Sequence, residues 1–495
     1  MAYRAYRLPM GEPENTTYDI YIEGERTQAF EARVSAMPFN RHWPGHQRPL
    51  DQTELVPFVR FGLDSPVALR VVAGRDFREV VVRPLARGIK PVVRGREILF
   101  TVPGPGQYTL ELDGPHGALH LFADSVKEYG IRAGDPDTVY FGPGVHDAGT
   151  IELKSGQTLY IDAEAVVYGQ IRATDADHIR ILGQGILDHS RMDADAGGIA
   201  QAKGANGELI DPVRPSPVVL SYCRDVEIDG IVIRDPCFLA LRPIACENIT
   251  IDNVKIIGCW RYNSDGIDII NSRHCRVRNC FVRSFDDSLC LKGFYFLHQG
   301  EMFHNRQVYA VMDDVVFENC VVWNEWGKAL EVGVDLCAME IKNCAFRDCY
   351  VIHCHGTAVM DLSNVDYAEV HDILFEGIHA EYDNVIQQPA IQESDDHVFL
   401  EDRNSTYMPY LLLSTICFSP YSHGGTVRGS IHDITIRNVA VHANRMPPSC
   451  IAGYDGTHMI KSVLLDQLSL NNEKIVSLAD MKLQVGEYVS DVKLY

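Results

Sequence analysis

The sequence predicts an all-β chain: a right-handed parallel β-helix solenoid, preceded by an N-terminal β-sandwich. Three observations predict it. From about residue 150 to the C-terminus, short β-branched runs return, each split by a tight polar turn, with several copies roughly 24–27 residues apart. No long stretch carries the 3.6-residue apolar period of an amphipathic helix. The first 125 residues have a different rhythm, with strands alternating in polarity and Gly, Pro or Asp punctuating them about every 8–14 residues.

The N-terminal domain is expected over residues 1–125. Its strands read as "VALRVVAG", "REVVVRPL", "REILFTV", "GQYTLELD" and "ALHLFAD". A Gly/Pro-rich joint follows over 126–149, within "SVKEYGIRAGDPDTVYFGPGVHDAG". The solenoid is expected over 150–495, from runs such as "RDVEIDGIVI", "ENITIDNVKI", "HCRVRNCFV", "DDVVFENCVV", "MEIKNCAF" and "HDITIRNVAV". A unit this short cannot bury its own apolar face, whereas stacked copies can. The Gly/Ala-rich stretch 193–217 reads as a rim loop or flap, and the largest loop is expected at about 384–430.

All 14 cysteines lie after residue 222, without metal-ligand spacing. Those in "RNCFV" (Cys280), "ENCVV" (Cys320) and "KNCAF" (Cys344) read as small apolar residues stacked in the core. A net charge of −22 argues against a nucleic-acid partner and, more mildly, against a long polyanionic substrate. No apolar run reaches the ~18 residues that would span a bilayer. The start, "MAYRAYRLPMGEPENTT", lacks an apolar signal core, which reads as a cytoplasmic chain unless a leader has been removed. Homo-oligomers are compatible with this composition.

The chemistry concentrates in "NSDGIDIINSRHCRVRNCFVRSFDDSLCLKG", residues 263–293, which holds Asp265, Asp268, Asp286 and Asp287 among apolar strand residues. Asp265 and Asp286 are 21 residues apart, close to one coil, so they are expected at equivalent positions on rungs about 4.8 Å apart. Clustered carboxyls do not all ionise, and one keeps its proton near neutrality. That supplies a general acid beside ionised partners that activate water. Turn-capping aspartates and a calcium site are the alternatives at this point. Arg242 falls 23 residues before Asp265, and Lys292 follows the Asp pair on its strand, so both are candidate cationic neighbours. Trp260, Trp323 and Trp326 fall in the same coils and offer rings on which sugars stack.

The pairing of "NSDGIDI" with "DDSLCLKG" resembles the signature of the polygalacturonases, glycoside hydrolase family 28, whose clan includes dextranase and isopullulanase. The resemblance implies a glycoside hydrolase that inverts configuration on a poly- or oligosaccharide, pectin-like or α-glucan-like, with no cofactor and no metal. It implies Asp286 as the general acid and Asp265 and Asp287 as the residues that activate water. Arg242, Asp268, Lys292, Trp326, Lys328, Glu331 and His355 are then the candidate substrate-binding residues. Two features depart from the family pattern. "WGKALEVG" carries Lys328 where the family has a histidine, with Glu331 close by, and the family's carboxylate-gripping "RIK" has no clear counterpart. The coil "HCHGTAVMDL" offers His353, His355 and Asp361 instead. The large late loop suggests a pocket and exo action. A calcium-dependent polysaccharide lyase and a non-catalytic carbohydrate-binding solenoid are the rival readings.

Overall fold

The computed structural model describes residues 3–41, 48–192, 202–203, 209–210, 215–293, 311–394, 396–419, 422 and 427–495. Up to Ser125 the chain forms two mainly antiparallel sheets, one of six strands and one of five. Their inner faces enclose an apolar core that includes Ile20, Val59, Phe61, Leu69, Val71, Leu110 and Leu121. From residue 138 onward the chain winds into a single continuous sheet of 32 strands, almost all paired in parallel. The segment expected as a joint, 126–149, holds the first strands of this solenoid, Thr138–Phe141 and the start of Gly144–Leu153.

Three faces repeat around the solenoid axis. The first runs through Leu241–Ile244, Ile267–Ile270, Leu289–Gly293, Lys328–Leu336, Ala358–Asn364 and Tyr410–Ile416. The second runs through Glu247–Asp252, Arg273–Arg278, Val315–Glu318, Glu340–Arg347, Glu369–Glu376 and Ser430–His442. The third runs through Lys255–Ile257, Phe281–Ser284, Val321–Asn324, Tyr350–Cys354 and His379–Glu381. The corner between the second and third faces needs a left-handed residue on every coil. Asn253, Asn279, Asn319, Asp348 and Gly377 supply it, with φ between 50° and 68°. These are the residue types that tolerate that region. The asparagines also stack: Asn319 Nδ2 donates to Asn279 Oδ1 at 2.8 Å, and Asn279 Nδ2 donates to Asp252 Oδ1 at 2.7 Å.

Just past this corner Cys280, Cys320 and Cys349 form one buried column. Cys344 belongs to a different column, in line with Val315 and Cys275, because the repeat's cysteine in that coil is Cys349. The described cysteines are all free thiols. The loop expected at about 384–430 contains a full solenoid strand, Tyr410–Ile416, which pairs with Ala358–Asn364. A short strand in the same region, Ala390–Gln392, pairs with Phe39–Arg41 of the N-terminal domain. Of the expected flap at 193–217, the short antiparallel pair Ala202–Lys203 and Leu209–Ile210 is described, and most of the remainder lies outside the described residues.

The N-terminal domain docks on the third face. Phe30, Phe58 and Phe122 interlock with Val232, Ile257, Phe281, Val321, Trp323 and Ile352. Beside this apolar seam lies a buried charge network. Arg83 bonds Glu111 at 2.8 Å, Glu381 at 2.6 Å and Asp383 at 3.1 Å, joining both domains. His353 lies between Asp383, at 2.8 Å, and Glu111, at 2.5 Å. Removing the guanidinium leaves three carboxylates short of a partner in a largely buried interface. Arg83→Ala is therefore expected to lower unfolding free energy by about 3–5 kcal/mol, read by chemical denaturation. A change within about 0.5 kcal/mol, the range of a surface substitution, would show that the network carries little.

Candidate active site

Along the first face, successive side chains alternate between core and exterior. Ile267 and Ile269 point into the solenoid, and Asp268 lies on the opposite side of the strand. The register pairs Asp268 with Cys290, Cys290 with Glu331 and Glu331 with Asp361. Leu241 pairs with Ile267 and Ile244 with Ile270, so Arg242 is in line with Asp268 one coil earlier. A single outward column thus carries Arg242, Asp268, Glu331 and Asp361, all buried.

The turn leading into this face supplies the other carboxylates. Gly266 N donates to Asp287 O at 2.8 Å, and Asp286 N donates to Ser264 O at 3.3 Å. Asp265 therefore stacks on Asp287, not on Asp286 as the 21-residue spacing suggests. The ladder advances by 22 residues here, and a slip of one residue exchanges the faces of a strand. Ser284 Oγ and Asn324 Nδ2 both donate to the Asp286 carbonyl at 2.7 Å, which fixes the turn. Gly327 lies against it one coil on. A Cβ there would come within 2.4 Å of Asp287 Oδ1, so the coils approach as closely as glycine allows.

Two lysines sit among the carboxylates. Lys292 Nζ lies 2.8 Å from Asp265, 2.9 Å from Asp287 and 3.4 Å from Asp268. Lys328 Nζ lies 2.8 Å from Glu331 and 3.7 Å from Asp287, while its backbone N–H donates to Asp287 Oδ1 at 3.0 Å. Lys328 thus ties Glu331 into the cluster.

These contacts separate the carboxyls by protonation. Burial foremost, then the charges of Asp287 and Asp265, push Asp286 well above the ordinary carboxylate range. Burial also works to raise Asp287, but Lys292 and Lys328 outweigh it and hold that carboxyl below its ordinary value. Burial raises Asp265 against the pull of Lys292, and lifts Asp268 to about 8. Glu331 is raised well above its usual range by burial and by Asp287. Asp361, which accepts from Ser363 Oγ at 2.8 Å, is raised by burial to about 6. Asp286 is half-buried, more open than Asp265, Asp268 or Asp287.

The tryptophans fall elsewhere. Trp260 is buried and donates to Asp235. Trp323 is fully buried in the domain seam, under Arg283 and beside His353. Both are packing residues, not exposed platforms. Trp326 is partly exposed and stacks on Phe285, which precedes Asp286. His355 is held by Asp383 at 2.9 Å and Glu325 at 3.5 Å, on the coil edge next to the aspartate turn. With Arg283, Trp323, Glu325 and Asp383 it lines a cavity of about 330 Å³ at the domain junction. Arg283, Glu325 and Asp383 had no motif to mark them, because their partners come from distant coils and from the other domain.

Among the described residues, two groups bring potential metal-ligand atoms within 4.8 Å of one another: His353, His355 and Asp383, and Asp287, Cys290 and Glu331. In the first, His353 is engaged on both ring nitrogens by carboxylates. In the second, Lys292 and Lys328 already bring their ammonium groups to the carboxylates.

Parts of the chain match known families and proteins. Residues 142–295 match the model for glycosyl hydrolases family 28, and residues 244–388 match the right-handed β-helix region. A probable polygalacturonase from Vitis vinifera is 25% identical over 209 residues, covering 36% of this chain and 42% of that protein. A polygalacturonase from Chamaecyparis obtusa is 22% identical over 221 residues, covering 41% and 42% respectively. The chain thus spans well under half the length of these relatives. Dex49A from Penicillium minioluteum superposes with a TM-score of 0.63 at 13% identity, covering 99% of this chain and 96% of that one, which shows a shared fold. The chain is polygalacturonase-like, and the matched segment contains Asp265, Asp268, Asp286, Asp287 and Lys292.

The upward push of burial on Asp268 has a consequence for stability. An unfolded aspartate titrates near 3.9, about four units below the folded value. Folding then favours the protonated form, so this group's contribution is full below the unfolded pKa and is lost as pH rises towards about 8. Asp268→Asn is expected to flatten the decline of unfolding free energy between pH 4 and 8, a decline of about 1.4 kcal/mol per pH unit for one such group. An unchanged slope in denaturant titrations across that range would contradict the assignment.

Proposed function

We propose that this chain is a glycoside hydrolase in which Asp286 is the general acid and Asp287, with Asp265, activates the attacking water. One arrangement carries the reading: the half-buried Asp286, pushed well above the usual carboxylate range by burial and its acidic neighbours, adjoins two carboxyls bridged by the single ammonium of Lys292. Protonation of the glycosidic oxygen by Asp286 lets the bond to the anomeric carbon break through an oxocarbenium-like transition state. Asp287, held ionised by two lysines, accepts the proton of the incoming water, and Asp265 orients it. Lys292 keeps the pair in register and prevents Asp287 from taking the acid's proton. Burial strengthens each of these interactions over its value in water.

Because Asp265 and Asp287 act together on water, neither is placed as a nucleophile towards the sugar, and the product is expected with inverted configuration. The family-28 match across these residues and the relatives named as polygalacturonases support the hydrolytic class. A calcium-dependent lyase is less well supported, since the ammonium groups of Lys292 and Lys328 occupy contact positions a cation between these carboxylates would need.

Asp286→Asn is expected to lower kcat by about 10³-fold or more while the circular-dichroism spectrum and melting temperature stay as in the wild type. Wild-type turnover in a folded variant would remove Asp286 as the acid. Proton NMR of the first product formed is expected to show the inverted anomer. The retained anomer would overturn the water-activating role of Asp265 and Asp287.

A further inference from the structure

From the charge arrangement around the acid we infer that the substrate is a neutral glycan, not a polyuronate; the inference rests on the hydrolase reading above. The site groups Asp265, Asp268, Asp286, Asp287, Glu331 and Asp361 around two lysines and the aligned Arg242. Both lysines are committed. Lys292 makes contacts of 2.8 and 2.9 Å with Asp265 and Asp287, and Lys328 makes one of 2.8 Å with Glu331. A uronate carboxylate entering here has to take an ammonium from a resident acid, leaving a buried group without its counter-charge. It also brings a charge into a site already rich in carboxyls, on a chain whose net charge is −22.

A second, independent feature points to hydroxyl donors. Asp265 Oδ1 and Asp361 Oδ2 are buried and accept no hydrogen bond from a protein group among the described residues. Buried acceptors of this kind are satisfied by ligands that donate. Sugar hydroxyls donate, whereas an ionised carboxylate only accepts. Surplus acceptors and committed lysines together select a polyhydroxylated, uncharged ring and reject its oxidised counterpart.

The test compares polymers that differ only in charge: polygalacturonate and the same polymer after chemical reduction of its carboxyls to primary alcohols. Neutral α-glucans, arabinans and fructans accompany them as further uncharged substrates, with reducing ends counted at low and moderate salt. At least one neutral substrate is expected to be cleaved with kcat/KM exceeding that for polygalacturonate by about 10²-fold or more. Comparable or preferred cleavage of polygalacturonate would overturn the inference while leaving the hydrolase reading in place. No hydrolysis of any substrate by folded protein would instead overturn the hydrolase reading, and the inference with it. Glu331→Gln adds a check on cause. It releases Lys328 from its acidic partner, so the ratio of polygalacturonate to neutral-glycan binding, measured by calorimetry, is expected to rise by about tenfold. An unchanged ratio would show that the lysine–carboxylate pairing does not set the preference.

Discussion

The parallel ladder of the first face is the constraint on which the site depends. Coils about 4.8 Å apart bring whatever stands at one position of successive repeats into contact, regardless of charge. Isoleucine and cysteine columns gain from this, and carboxyl columns lose. At Asp265, Asp268, Asp287, Glu331 and Asp361 the chain accepts that cost and limits it with two lysines, Lys292 and Lys328. The limitation is uneven. Asp287 touches both lysines and is held below its ordinary value, whereas Asp268 and Asp286 are less well served and are pushed above theirs. The difference in protonation that acid–base chemistry requires thus arises from register and from which carboxyl each ammonium reaches.

The rest of the structure holds that register. The Asn and Asp corner residues fix each coil's length, and Gly327 lets the aspartate turn and the next coil close to van der Waals distance. On the third face the N-terminal domain clamps the coil edge that ends in the aspartate turn, through Phe281, Trp323 and the Arg83 network. The junction cavity beside Glu325 and His355 shows that the domain also shapes the ground next to the site. A rigid scaffold of this kind suits a reaction whose groups must hold their positions to within tenths of an ångström.

Much of this was legible in the sequence for specific reasons. The corner asparagines and the β-branched runs repeat at a period that only stacking satisfies, so the solenoid was visible. "NSDG" and "DDSLCLKG" lie one coil apart, so the aspartates and Lys292 could be placed together, with Lys328 and Glu331 one coil further on. The exact ladder was not legible: 21 and 22 residues are equally good coil lengths, and only the backbone pairing of Gly266 with Asp287 decides that Asp265 meets Asp287. Trp323 and Trp260 could not be told from sugar platforms, because their burial comes from the docked domain and from Asp235. Tyr410–Ile416 was hidden because about 28 residues separate it from the preceding solenoid strand, His379–Glu381, well beyond the usual spacing between strands. The Arg83, Glu111, Asp383 and His353 network joins residues some 300 positions apart, as Arg83 to Asp383 shows, and has no local signature.

The central claim is that the cluster holds one carboxyl protonated beside one that is ionised. Infrared difference spectroscopy on protein labelled with ¹³C at the aspartate carboxyls tests it directly. At neutral pH the wild type minus Asp286→Asn spectrum should show the carbonyl band of a protonated carboxyl, and wild type minus Asp287→Asn should show the paired bands of an ionised carboxylate. Two carboxylate signatures, with no protonated band assignable to Asp286, would contradict the account.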